Sequence, residues 1–190
     1  IQNSKKGQFM NFFFHTKAKD FQSLLTIPKF QNSGVFADNL NLFNANIVDN
    51  KWSVEETSCV EDPFFWTIDC KDGDDRKIYF LATEKEASLI EKRNKLCDLN
   101  HFTETIPDYR ANLMIKNSVG GFSSYQSEYP FIMTTKLGTL YSDCGMLTSE
   151  KCKSVGIFVK NIYMEPIYRD IPFYLYDDLS GKVISTFKLS

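Results

Sequence analysis

Short runs of aromatic and β-branched residues, separated by turns that contain glycine or aspartate, set the strongest limit on how this chain can fold. Aromatic residues make up 15% of the 190-residue sequence, with 17 Phe and 9 Tyr. Large rings and β-branched side chains fit the half-buried surface of a pleated strand. The sequence therefore predicts a mainly β protein.

Two hairpins are predicted most clearly. Residues 64–70 and 76–81 flank an Asp-Gly turn, a dipeptide that tolerates the positive φ of tight hairpin turns. Residues 172–176 and 182–189 flank a second turn that ends in Ser-Gly. In the last of these runs apolar and polar residues largely alternate, which predicts one apolar face and one mixed face.

One helix is predicted in the middle of the chain. Thr83 is a good N-cap and Glu86 follows three residues later, which together form a capping box. The helix is expected to end near Asn100, because Asn tolerates the left-handed C-cap conformation. A shorter helix is expected over residues 18–25, ended by a following proline, and residues 31–50 are expected to form an irregular packed segment.

These elements predict an antiparallel β-sandwich or a jelly-roll-like fold with one middle helix. The alternative is an α+β fold, in which the helix packs on one face of an antiparallel sheet. No break in composition divides the sequence, so a single globular domain over residues 1–190 is expected.

Composition argues against several classes of function. The net charge is −2 and no basic stripe is visible, so nucleic-acid binding is not expected. No apolar run approaches the ~18 residues of a membrane-spanning helix, so a soluble protein without a membrane partner is expected.

The five cysteines include no C-x-x-C pair, so neither a zinc site nor a redox motif is predicted, and no metal or cofactor is expected. A cytoplasmic protein with free thiols is the simpler interpretation. A secreted protein with one or two disulfides, such as Cys59–Cys70, is the alternative, because a leader could precede Ile1.

A polar and aromatic stretch over residues 118–131 is the predicted binding site. It combines hydroxyls, an amide, a carboxylate and four rings, and it contains the adjacent Gly120 and Gly121, which free the backbone. Such a set offers hydrogen bonds and stacking faces to a sugar. An ordinary loop whose rings cover the core is the plainer alternative. The predicted ligand-binding residues are Arg110, Asn112, Ser123, Ser124, Tyr125, Gln126, Glu128 and Tyr129.

Catalytic motifs are not found. Nucleophilic catalysis by Ser or Cys needs a positioned base, and no spacing links a nucleophile to His15 or His101, the two histidines of the chain. The leading hypothesis is therefore a non-catalytic β-sandwich module that binds a carbohydrate or a protein partner.

Two alternatives stay open at this point. In the first, the chain is an enzyme that acts on a sugar or small metabolite, with Arg110, Tyr125, Glu128 and His101 converging in one pocket. In the second, it is a structural subunit of a homo-oligomer, with exposed aromatic residues at the interface.

Overall fold

The computed structural model describes residues 11–15, 21–30, 34, 36, 40–69, 71, 74, 76–96, 110–117, 119–126, 128–130, 164–167, 170–177 and 179–189. One helix, α1 (Glu84–Arg93), lies among these residues, and no described helix is long and apolar enough to cross a membrane. The described strands are β1 (Asn11–Phe13), β2 (Phe21–Pro28), β3 (Asn41–Val48), β4 (Lys51–Glu56), β5 (Val60–Glu61), β6 (Phe65–Asp69), β7 (Ile78–Ala82), β8 (Asn112–Asn117), β9 (Phe122–Gln126), β10 (Glu128–Pro130), β11 (Ile171–Tyr176) and β12 (Val183–Leu189).

Contacts divide the chain into two compact units. Unit 1 comprises Ile1–Lys136 and Ile162–Pro166, and unit 2 comprises Leu137–Asn161 and Ile167–Ser190. Strands β1 to β10 and helix α1 belong to unit 1, whereas β11 and β12 belong to unit 2. The expectation of a single domain stays a prediction.

Unit 1 contains two five-stranded sheets. The first has the order β10-β1-β7-β3-β4 and the second the order β5-β6-β2-β8-β9. Every described strand pair in them is antiparallel. The prediction of a mainly β, antiparallel fold with one helix is therefore confirmed.

Two apolar cores organise unit 1 into layers. In one core, Tyr79 of β7 belongs to the same buried cluster as Leu25 of β2, so the two sheets pack face to face as a sandwich. In the other core, Phe80 of β7 clusters with Ile90 of α1, so the helix covers the outer face of the first sheet. Strand β7 is buried at every position because it lies between both layers. The two arrangements that the sequence offered as alternatives, a β-sandwich and a helix packed on one face of a sheet, thus occur together in unit 1.

The predicted hairpin over residues 64–81 is wrong in its pairing, although both of its strands exist. Strand β6 pairs with β2 and β5 in the second sheet, whereas β7 pairs with β1 and β3 in the first. The turn between them therefore carries the chain from one sheet to the other. The wholly apolar β7 needs cover on both faces, and a central place in the helix-covered sheet supplies it.

The segments expected to be a short helix and an irregular loop both contain strands. Residues 21–25 of the expected helix lie in β2, where Leu25 and Ile27 are fully buried at alternate positions. Residues 41–48 of the expected loop form β3, whose side chains Leu42 to Ala45 are buried. Burial within the packed sheets, alternate in β2 and continuous over Leu42 to Ala45 in β3, outweighed the local helix and loop preferences.

Helix α1 begins as predicted and ends early. The Thr83 hydroxyl accepts from the Glu86 N–H at 3.3 Å, and the Glu86 carboxylate accepts from the Thr83 N–H at 2.9 Å, which confirms the capping box. The helix ends at Arg93 because Asn94 takes the left-handed cap conformation, with φ of 52°. The predicted end near residue 100 is wrong, since the first Asn after the helical run already caps it.

Candidate functional site

The predicted polar and aromatic stretch lies mainly on the β8–β9 hairpin of unit 1. Gly120 and Gly121 form its turn with φ of 119° and 84°, a region that favours glycine. The Asn117 N–H donates to the Gly121 carbonyl at 3.1 Å, and the Gly120 N–H donates to the Asn117 carbonyl at 3.2 Å. The two glycines therefore close a tight hairpin.

Strand pairing sets the order of the predicted residues on this hairpin. The directly opposed pairs include Asn112–Gln126, Leu113–Tyr125, Met114–Ser124 and Ile115–Ser123. The side chains of Arg110, Asn112 and Ser124 are exposed, whereas Leu113 is buried. Six of the eight predicted residues are thus placed on or beside one hairpin.

The other two predicted residues lie on the opposite sheet. Glu128 and Tyr129 belong to β10, where they pair with Phe13 and Phe12 of β1. The chain therefore leaves one sheet after Gln126 and joins the other at Glu128. A binding site that unites all eight residues stays a prediction. His101 lies outside the described residues, so the enzyme alternative that needs it also stays a hypothesis.

A buried Ser–His pair escaped the sequence analysis. The Ser23 hydroxyl lies 3.2 Å from His15 Nε2, and the two residues are 5% and 0% exposed. Ser23 shares a face of β2 with Leu25 and Ile27, which fill the core between the sheets. Both side chains are buried, so the pair forms a buried hydrogen bond of the sandwich. The spacing of Ser23, Leu25 and Ile27 at alternate positions could have predicted that Ser23 lies on the buried face of the strand.

An open pocket of about 190 Å³ lies where the two sheets of unit 1 meet. Its lining residues are Asn41, Leu42, Glu56, Thr57, Ser58, Cys59, Glu61 and Trp66. Lys29 forms an ion pair with Glu61 and sits 5.2 Å from the centroid of the Trp66 ring. The Lys29 ammonium therefore partly neutralises the negative charge of the carboxylates that line the pocket.

Cys59 in this pocket has the wrong electrostatics for a nucleophile. Burial, and then the Glu61 carboxylate, raise the pKa of its thiol, so the reactive thiolate is disfavoured. Cys59 is a free thiol, which excludes the suggested Cys59–Cys70 disulfide, and the other four cysteines lie outside the described residues. Within the described part of the chain, no three His, Cys, Asp or Glu residues group as metal ligands.

The predicted C-terminal hairpin forms in unit 2. Strands β11 and β12 pair over their full length, with one irregularity after Leu175. In the turn, the Asp177 carboxylate accepts from the Leu179 N–H at 3.1 Å and from the Ser180 hydroxyl at 2.8 Å. These hydrogen bonds, the one from Ser180 foremost, lower the pKa of Asp177. The hairpin register is thus fixed by its own turn.

This hairpin exposes apolar side chains on both faces. On one face the Phe173 and Phe187 rings stack with centroids 6.3 Å apart, and on the other the Tyr174 and Tyr176 rings lie 6.3 Å apart. Six large side chains in its strands are 42–63% exposed: Tyr174, Leu175, Tyr176, Val183, Ile184 and Phe187. The sequence predicted the alternation but not that both faces would meet solvent.

The hairpin is the main concentration of exposed apolar groups in the described structure. Of the exposed large hydrophobic residues there, eight lie within 167–187 and six are spread over unit 1. Contiguous exposed apolar surface of this kind marks interaction sites in soluble proteins. The chain matches no known protein family, no curated protein and no solved structure. The interpretation of this surface therefore rests on its geometry.

Proposed function

We propose that the chain is a non-catalytic protein-interaction module whose contact surface is the β11–β12 hairpin of unit 2. The observation that carries this proposal is the exposure of apolar side chains on both faces of that hairpin. Phe187 is 48% exposed and Tyr174 is 53% exposed, although both lie within strands.

Energetics supports a partner at this surface. A two-stranded hairpin is at best marginally stable in water and gains stability when further strands or another layer cover it. Tyr and Phe are enriched at protein interfaces, because each ring buries a large area with few rotatable bonds. A protein partner would therefore recover apolar surface that the hairpin leaves in water.

Two groups within the described part of the chain that could carry chemistry support a non-catalytic role. The Ser23–His15 pair is enclosed between the sheets, and the thiol of Cys59 has a raised pKa. Carbohydrate binding at the β8–β9 hairpin stays a hypothesis. It depends on the exposed side chains of Arg110, Asn112 and Ser124 and on further residues of the hairpin.

Photo-crosslinking tests the proposal in the cells that make the protein. A photoreactive p-benzoylphenylalanine replaces Tyr174, and in a matched control it replaces Val60, which is 68% exposed in β5 of unit 1. We expect a specific cross-linked protein from position 174 and none from position 60. A second copy of the chain counts as a partner here.

The cross-linked partner is then purified and titrated calorimetrically. Phe187→Ser is expected to weaken its binding at least about tenfold, since an interface ring is lost. Val60→Ser should leave the affinity unchanged. The proposal is overturned if position 174 gives no cross-linking above position 60, or if the partner binds the Phe187→Ser variant as well as it binds the wild type.

A further inference from the structure

We infer that the partner is a second copy of this chain, which joins β12 to β12 edge to edge in an antiparallel arrangement centred on Thr186. This inference rests on the proposed function, because it names the occupant of the same hairpin. It follows from the two edges of the hairpin, from the register of its side chains and from its charges.

The two edges of the hairpin differ in their capacity to add a strand. Strand β11 contains Pro172, which has no backbone N–H and blunts an edge against further pairing. Strand β12 contains no proline, and Val, Ile, Thr and Phe supply four of its seven residues. Among the described residues, β12 pairs with β11 alone. Its outer edge is therefore the better template.

A two-fold axis through Thr186 pairs β12 with its copy over the whole strand. Thr186 then faces Thr186 of the second copy, Ser185 faces Phe187, and Ile184 faces Lys188. Directly opposed residues share a face in antiparallel sheets, so the face that carries Phe173 and Phe187 continues across the axis. A slip of one residue would join that face to the tyrosine face instead.

Charge is compatible with this centre and excludes two others. An axis through Ser185 would place Lys182 opposite Lys188, and an axis through Lys188 would place that lysine opposite itself, so both juxtapose like charges. The axis through Thr186 opposes no like charges within the strand. Lys188 also lies 3.8 Å from the Asp170 carboxylate of its own hairpin, which moderates its charge.

The resulting assembly is a four-stranded sheet in the order β11-β12-β12-β11. It pairs the outer edge of β12, which faces no other strand among the described residues, in both copies, and it extends a two-stranded sheet to four strands. A C2 arrangement of this kind uses the same surface patch on both subunits, the usual form of a homodimer.

Sedimentation equilibrium of the purified chain over a range of micromolar concentrations tests this inference. The wild type is expected at twice the 22.0 kDa mass of the chain. Thr186→Lys and Thr186→Glu each place like charges across the axis and should each weaken the dimer at least about tenfold. An equimolar mixture of the two variants should restore the dimer, because Lys then faces Glu.

Leu179→Lys is the matched control. It adds the same charge to the same hairpin at a turn residue that is 99% exposed, and it should remain a dimer. Circular dichroism should show equal strand content in all variants, so that a loss of mass reports pairing and not unfolding.

The inference is overturned if the wild type is monomeric throughout, if Thr186→Lys still dimerises like the wild type, or if the mixture stays monomeric. Its failure is distinguishable from that of the proposed function. A monomer that still cross-links to another protein through position 174 refutes self-pairing alone. A chain that cross-links to no protein, a second copy included, refutes both.

Discussion

A Phe→Ala substitution should lower the free energy of unfolding by very different amounts in the two units. Phe80 is fully buried, with its ring 6.0 Å from the Phe43 ring and 6.4 Å from the Phe12 ring. Phe80→Ala opens a cavity in a packed core and should lower the free energy of unfolding by about 3–5 kcal/mol. Phe187 is 48% exposed, so truncating it forfeits only about 1 kcal/mol of local burial.

Tryptophan fluorescence separates the two effects during urea unfolding. Both tryptophans of the chain, Trp52 and Trp66, lie in unit 1 and are 5% and 6% exposed, so their emission reports that unit. Phe80→Ala should shift this transition to much lower urea. Phe187→Ala should leave it within about 0.5 kcal/mol of the wild type, as surface substitutions usually do.

The reasoning is refuted if Phe187→Ala destabilises the fluorescence transition as much as Phe80→Ala does. That result would place the Phe187 ring in a core and would remove the exposed surface on which both proposals depend. Hydrogen exchange of the β12 amides gives the complementary measurement, since the small local loss from Phe187→Ala should appear there alone.

Three further predictions concern unit 1. Thr83→Ala should lower the free energy of unfolding by about 1 kcal/mol, whereas Thr83→Ser should restore most of it, because the cap needs a hydroxyl; urea titration measures both. The Arg76 side chain, which donates to the Asp74 carboxylate, lowers the pKa of Asp74 from 3.8 to about 2. The stability that this pair adds, about 0.5 kcal/mol for an exposed pair, is therefore present above about pH 4 and lost as the pH falls toward 2. Arg76→Ala should flatten that acid dependence, and an unchanged acid slope would count against the pair. Alkylation of Cys59, followed by peptide mass spectrometry, should be slow at mildly alkaline pH and faster in Glu61→Gln, because that change removes a carboxylate that raises the pKa of the thiol; equal rates would contradict this account.

Local signals predicted the elements that depend on nearby residues. The capping box of Thr83 and Glu86 and the C-terminal hairpin are each specified within a few positions of the chain. Strand pairing depends on distant residues, which is why β6 and β7 were wrongly paired with each other. The continuous apolar run of β7 was the overlooked sign that this strand is covered on both faces.

In the candidate site, too, features set by nearby residues could be predicted and features set by distant residues could not. The alternation in β12 predicted an apolar face, and Phe187 lies on one face of the hairpin opposite Phe173. Whether such a face meets another layer is decided by the rest of the fold, so the exposure of Phe187 could not be predicted from the sequence. The polar stretch looked continuous in the sequence, yet its chain changes sheets between Gln126 and Glu128.

The return of Ile162–Pro166 to unit 1 decides how the two units can be separated. The Met164 carbonyl accepts from the Trp52 indole N–H and from the Leu96 N–H, each at 2.8 Å, and Glu165 lies 3.3 Å from the Lys95 ammonium. Cutting the chain after Lys136 would discard these partners and leave two buried donors unmatched beside the helix. A viable isolated unit 1 would therefore have to retain that five-residue piece.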